Sequence, residues 1–138
     1  METNELKNRA VKVIDAIAIG QADLHALVAS EKALAALEGT RARLRGAFGE
    51  LDVTVKDQVA EGSVVVTRAK LKGAHVGVLD IPGGHLAPTG NAISTSASIA
   101  LTFDAAGKVV GFKALYDFPK VLAQMGAQLV IPAAGARS

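Results

Sequence analysis

The sequence predicts an α+β fold, a cone-shaped barrel in which a curved antiparallel sheet wraps around N-terminal helices. Three observations predict it. Apolar residues recur every three or four positions up to Phe48 and every second position after Gly49. The strand-like segments then follow one another through short turns and a Gly/Pro-rich loop, which makes antiparallel neighbours of them. The chain has 138 residues, 50% of them hydrophobic, which suits one domain with a real core.

Each element follows from local pattern. Leu6, Ala10, Val13, Ile14 and Ile17 give residues 5–19 one apolar stripe, with Gly20 as the stop. Asp23 to Val28 forms a short second helical piece. Ser30 is an N-cap candidate for a third helix carrying Leu34, Leu37, Leu44 and Phe48, which Gly39 weakens by about 1 kcal/mol relative to Ala. After Gly49, Leu51, Val53 and Val55 alternate with Asp52, Thr54 and Lys56 as a half-buried strand. Glu61-Gly62 turns the chain into a strand at 63–72, and a further short strand at 74–79 follows Gly73. Residues 80–91, rich in Gly and Pro, are expected as a loop made flexible by Gly83-Gly84. Strand 92–103 sets Ile93, Ile99, Leu101 and Phe103 against a hydroxyl row of Ser94, Ser96 and Ser98. Asp104 to Gly107 closes a hairpin into strand 108–117, a last helical turn covers 118–125, and Gly126 stops it. Residues 1–126 are expected as the domain and 127–138 as a fraying tail.

Composition excludes several functions. Fifteen Lys and Arg against thirteen Asp and Glu leave a charge of +2, no footprint for nucleic acid or an anionic membrane. Arg41, Arg43 and Arg45 read as a solvated helix face. The absence of cysteine removes disulfides, thiolate metal sites and a thiol nucleophile, and three scattered histidines argue against a metal centre. Neither a signal peptide nor an apolar run of the roughly 20 residues needed to span a membrane is evident, so a cytoplasmic protein is expected. The serines have no visible base for a Ser-His-Asp hydrolase, and the Gly-rich loop lacks the lysine of a phosphate-binding motif.

Several segments fall in a familiar order. They are Val59-Ala60-Glu61-Gly62, a valine-rich strand with Arg68, Gly73-Ala74-His75-Val76-Gly77, Pro88-Thr89-Gly90 and Asp104-Ala105-Ala106-Gly107-Lys108-Val109. Tyr116-Asp117 and Leu122-Ala123-Gln124-Met125-Gly126 follow, and Ala18-Ile19-Gly20-Gln21-Ala22-Asp23 and Arg43-Leu44-Arg45-Gly46-Ala47-Phe48 precede them. Together they resemble the SnoaL-like polyketide cyclase family of the nuclear transport factor 2-like superfamily. The resemblance implies a cone-shaped barrel that associates through the outer face of its sheet as a dimer or tetramer. It also implies a hydrophobic, carbonyl-rich small-molecule substrate and aldol ring closure with neither metal nor organic cofactor.

By that resemblance Asp117 is the general acid/base and His75 orients the substrate or polarises its carbonyl. Lys113, Leu115 and Arg68 are expected to bind substrate. Each has a plainer reading. Asp117 directly precedes Phe118-Pro119 and suits an N-cap; His75 can close a strand by bonding to backbone. On the last strand two readings conflict. The resemblance turns Lys113, Leu115 and Asp117 into the cavity, whereas periodicity turns in the more apolar row of Val110, Phe112, Ala114 and Tyr116. Two departures from the family stand out: Lys113 and Gly111 occupy positions where it usually has an aromatic residue and a Glu, and Ala29-Ser30-Glu31 shortens the segment between helices two and three. A cyclase or isomerase ranks first among the functions. A non-catalytic binding or scaffold protein of the same fold and an epoxide-opening enzyme, with Arg68 and Asp117 as two members of its site, are the alternatives.

Overall fold

The computed structural model describes residues 2–18, 23–81 and 84–126. Gly20, Gly83 and the tail at 127–138, on which sequence expectations were placed, lie outside them. Helix α1 (Thr3–Ala18) buries the stripe of Leu6, Ala10, Val13, Ile14 and Ile17. Asp23 caps the one-turn α2 (Leu24–Leu27), and Ser30 caps α3 (Glu31–Ala47) by accepting from the Ala33 amide at 3.2 Å. Leu24 and Leu37 are fully buried, and burial of such a side chain contributes about 1.5–3 kcal/mol.

No loop separates helix from sheet. The Phe48 amide still donates to Leu44 O while its own backbone is already extended, and β1 (Phe48–Glu61) starts there. A register shift between Gly49 and Asp52 follows, with Glu50 at a left-handed φ of 46°, and this bulge bends the strand. Gly62, at φ 59°, makes the turn into β2 (Val64–His75).

Two sequence expectations change here. Residues 74–79 are not a separate strand: Ala74 and His75 prolong β2. Gly73 does not break the ladder, because it pairs with Ile93 and its missing Cβ leaves room for Leu51 at 3.1 Å. The expected loop also holds a small hairpin, β3 (Leu79–Ile81) paired with β4 (Gly84–Leu86). Three-residue strands are too short to show a period.

Strands β5 (Ala92–Phe103) and β6 (Val109–Tyr116) complete an antiparallel sheet in the order β1-β2-β5-β6. Its inner face carries Val65, Thr67 and Ala69 of β2 and Ile99, Leu101 and Phe103 of β5, packed with α1 and α3. The buried hydroxyl of Thr67 is met by Gln58, whose Nε2 also donates to Lys7 O and so ties α1 to the sheet. The shortened connector before α3 is stitched to the edge strand, with the Ala29 amide donating to Val109 O at 2.8 Å. Helix α4 (Phe118–Gln124) packs on β5, and Ala47, Leu79, Ile93, Val121 and Met125 form a second, smaller core there. The fold is thus the α+β arrangement expected, helices first and a curved antiparallel sheet over them.

Candidate functional site

A cavity of about 100 Å³ remains between α3, the sheet and α4. The two-residue alternation that buries the inner face also builds its wall, bringing Leu71 and Gly73 of β2 beside Ile93 and Thr95 of β5. Phe48 and Leu51 enter from either side of the β1 bulge. Across from them, Thr40, Arg43 and Leu44 share one face of α3, and Tyr116 and Val121 bring in the end of β6 and α4. An apolar cavity of about 150 Å³ holds benzene, so this one is on the scale of a single small ring or alkyl group. Any larger ligand extends through its mouth.

Asp117 is not in this cavity. It is exposed, and its Oδ1 accepts from the Lys120 amide at 3.1 Å as the N-cap of α4. Lys113 and Leu115 stand opposite Ala100 and Ser98 on the outer face, both exposed. Phe112, Ala114 and Tyr116, opposite Leu101, Ile99 and Ala97, take the inner face. Between the two conflicting readings of β6, the geometry follows the periodicity. Val110, the first member of the apolar row, departs from it: the register shift opposite Thr102 and Phe103 turns Val109 into the core and leaves Val110 exposed. Arg68 is also on the outer face, where it pairs with Asp57 of β1 across the strand register. Even-numbered residues of β2 point away from the helices, which removes Arg68 from the pocket. The hydroxyls of Ser94, Ser96 and Ser98 share that outer side.

His75 is fully buried at the end of β2 and does not line the cavity. Its Nδ1 lies 3.0 Å from the Thr89 hydroxyl and accepts from the Thr89 amide at 3.3 Å. An amide can only donate, so the neutral ring carries its proton on Nε2. That Nε2 is buried without a partner among the described residues. Phe48, which does line the cavity, sits tilted against the imidazole at 5.9 Å between ring centroids. His75 thereby anchors the loop before β5, and no hydrogen bond joins it to Asp117. His25 meets Glu38 on the surface at 3.3 Å.

Pattern reading missed Arg43, Tyr116 and Gln124. Gln124 has a positional role visible only in three dimensions. Strand β6 stops opposite Ala97, which leaves the Ser94 backbone open on that side. The Gln124 side chain fills the place: Oε1 accepts from Ser94 N at 2.7 Å and Nε2 donates to Ser94 O at 2.8 Å. Asp117 at one end and Gln124 at the other therefore pin α4 beside the cavity. Gln124→Ala removes two hydrogen bonds of about 0.5–1.5 kcal/mol each. Thermal unfolding at a lower temperature and faster amide exchange across 118–124 are the expected results.

The match to known proteins agrees with this geometry. Residues 12–125 match the SnoaL-like polyketide cyclase family. The chain belongs to that family. Among solved structures, TsrD of Streptomyces laurentii is similar at a TM-score of 0.73 and 17% identity, over 92% of this chain and 98% of that one. AclR, a proposed hydroxylase of Streptomyces galilaeus, is similar at 0.71 and 22%, over 97% and 93%. A proposed SnoaL-like polyketide cyclase of Jannaschia gives 0.60 and 25%, over 70% and 63%. No curated protein matches the chain in sequence. As a SnoaL-like protein the chain has a cyclase-type fold with a small-molecule cavity. Among the described residues no group of three His, Asp or Glu is placed to hold a metal, and no helix is long and apolar enough to cross a membrane.

Proposed function

We propose that this SnoaL-like chain is a cofactor-independent cyclase or isomerase acting on a small, carbonyl-rich, polyketide-like molecule. The observation that carries the reading is the cavity itself, apolar in its walls and polar, among the described residues, through the side chains of Thr40, Arg43, Thr95 and Tyr116. Such walls fold a flexible chain of carbonyl groups upon itself. Holding two ends of one molecule in contact supplies much of the rate of an intramolecular aldol closure. The C–H between two carbonyl groups of such a molecule is acidic enough to lose its proton to water at the cavity mouth. The resulting enolate carbon attacks the carbonyl held against it. The Tyr116 hydroxyl donates to the oxygen that becomes the alkoxide and is then protonated. Asp117 enters as a positioning residue, through the helix it caps. Self-association fits the outer face of the sheet, where Val59, Val66 and Leu115 are exposed around the small Ser98 and Ala100.

Two substitutions at Asp117 test the reading. Asn caps a helix as well as Asp does, yet it cannot exchange a proton with substrate. With a linear poly-β-ketone whose closure forms an ultraviolet-absorbing ring, Asp117→Asn is expected to keep the wild-type rate. Asp117→Ala is expected to lose about 1 kcal/mol of stability and some activity with it. A folded Asp117→Asn protein slowed by about a hundredfold or more would restore Asp117 as the acid/base and overturn the assignment made here. The binding-protein reading draws on one observation, that no carboxylate among the described residues lines the cavity. Ligand affinity without turnover on that substrate class would favour it.

A further inference from the structure

We propose that the ligand of this cavity carries a carboxylate and that Arg43 receives it at the mouth. The inference rests on the reading of the cavity as the substrate site and adds the chemistry of one end of the substrate. Its starting point is an asymmetry of charge. Arg43 is the charged side chain that lines the cavity among the described residues, and it is exposed. Lys72 borders the cavity from β2, but its side chain points to the outer face with the other even-numbered residues of that strand. Arg43 forms no ion pair with a described residue; the ion pairs found are His25 with Glu38 and Arg68 with Asp57. Lys72 also borders a neighbouring shallow groove with Glu50 and Asp52, so acidic groups already share its surroundings. Arg43 has no carboxylate of a described residue beside it in the cavity wall.

Placement makes that cation useful. Arg43 is next to Leu44, which lines the cavity, and three residues after Thr40, so its guanidinium stands at the rim while the apolar floor is set by Leu71 and Ile93. A carboxylate at the rim keeps part of its hydration and pays little for binding, whereas the same group at the floor would be desolvated. The planar guanidinium offers two parallel N–H donors to the two carboxylate oxygens, which a point-charge ammonium does not. The size of the cavity agrees: one ring or alkyl end fills about 100 Å³, and the polar end has to emerge where Arg43 is. The substrate class is thus a keto acid with an apolar end and a carboxylate at the far end. Arg43 also fixes which end enters first, so it orients the carbonyl groups between floor and rim.

The test compares 4-oxo-4-phenylbutanoate with its methyl ester by calorimetry on the full chain at low salt. The acid is expected to bind about tenfold more tightly than the ester, with the preference shrinking as salt screens the contact. Arg43→Gln is expected to weaken the acid alone and bring it level with the ester. Arg45→Gln, on the same helix but outside the cavity, is expected to leave both affinities unchanged. Equal affinity of the wild-type protein for acid and ester would overturn this inference and leave the cavity reading standing. A preference that survives Arg43→Gln would overturn the role of Arg43. Binding of neither compound would overturn the cavity reading and the inference with it.

Discussion

Gly77→Ala is expected to lower the melting temperature by about 10 °C, a loss of about 3 kcal/mol for a chain of this size. A Cβ at Gly77 would overlap the carbonyl oxygen of Gly46 and lie 2.9 Å from its carbonyl carbon. These are backbone atoms of the last turn of α3, with no rotamer through which to retreat. The segment is also held from the other side, because the amides of Val76 and Gly77 both donate to Ala47 O, at 2.9 and 3.0 Å. Relief of the clash therefore breaks bonds that seal the end of β2 to the end of α3. Gly39→Ala is the contrast. Nothing lies within 4 Å of a Cβ there, and Ala in a helix gains about 1 kcal/mol over Gly. Thermal denaturation followed by circular dichroism reads both, with opposite signs expected.

The largest effect on binding is expected from Leu44→Trp. Leu44 is half-buried on the cavity face of α3, and an indole there occupies most of a void of about 100 Å³. Burying a phenyl ring is worth about 2–3 kcal/mol, so its exclusion lowers affinity for 1-phenylbutane-1,3-dione by roughly 30-fold or more. The mouth gives the larger side chain room, so the melting temperature is expected to stay near that of the wild type. Titration calorimetry checks the first statement and circular dichroism the second. Undiminished affinity in a folded Leu44→Trp protein would place the ligand elsewhere.

Much of the fold was legible because burial leaves a period. The stripe on α1, the whole of β5 and, on β6, the inward direction of Phe112, Ala114 and Tyr116 could be read directly, but not that of Val110, because a register shift at the start of β6 buries Val109 instead. Caps were legible too, since Ser30 and Asp117 have the right chemistry beside the right neighbours. The candidate site was less so. Family resemblance placed Lys113, Leu115 and Arg68 in the pocket, and strand parity sends all three outward. Parity had already given that result for β6, where the row carrying a lysine was the less apolar of the two. Gln124 and Arg43 left no local signal. The first acts across 30 residues on the Ser94 backbone, and the second differs from Arg41 and Arg45 only in its angle around α3. His75 was singled out, but its partner Thr89 lies fourteen residues on in a loop without a period. Tertiary contacts of this kind are set by how elements meet, which no single segment records.

If the cavity between α3, the sheet and α4 is the ligand site, a carbonyl-bearing molecule must enter it. The direct measurement is a titration of the ¹⁵N-labelled protein with 1-phenylbutane-1,3-dione, following every backbone amide by NMR. Shifts are expected to concentrate at Leu44, Phe48, Leu71, Gly73, Thr95 and Tyr116. Shifts confined to the outer face, at Val66, Ser96 and Ala100, or no shifts at all, would contradict that placement.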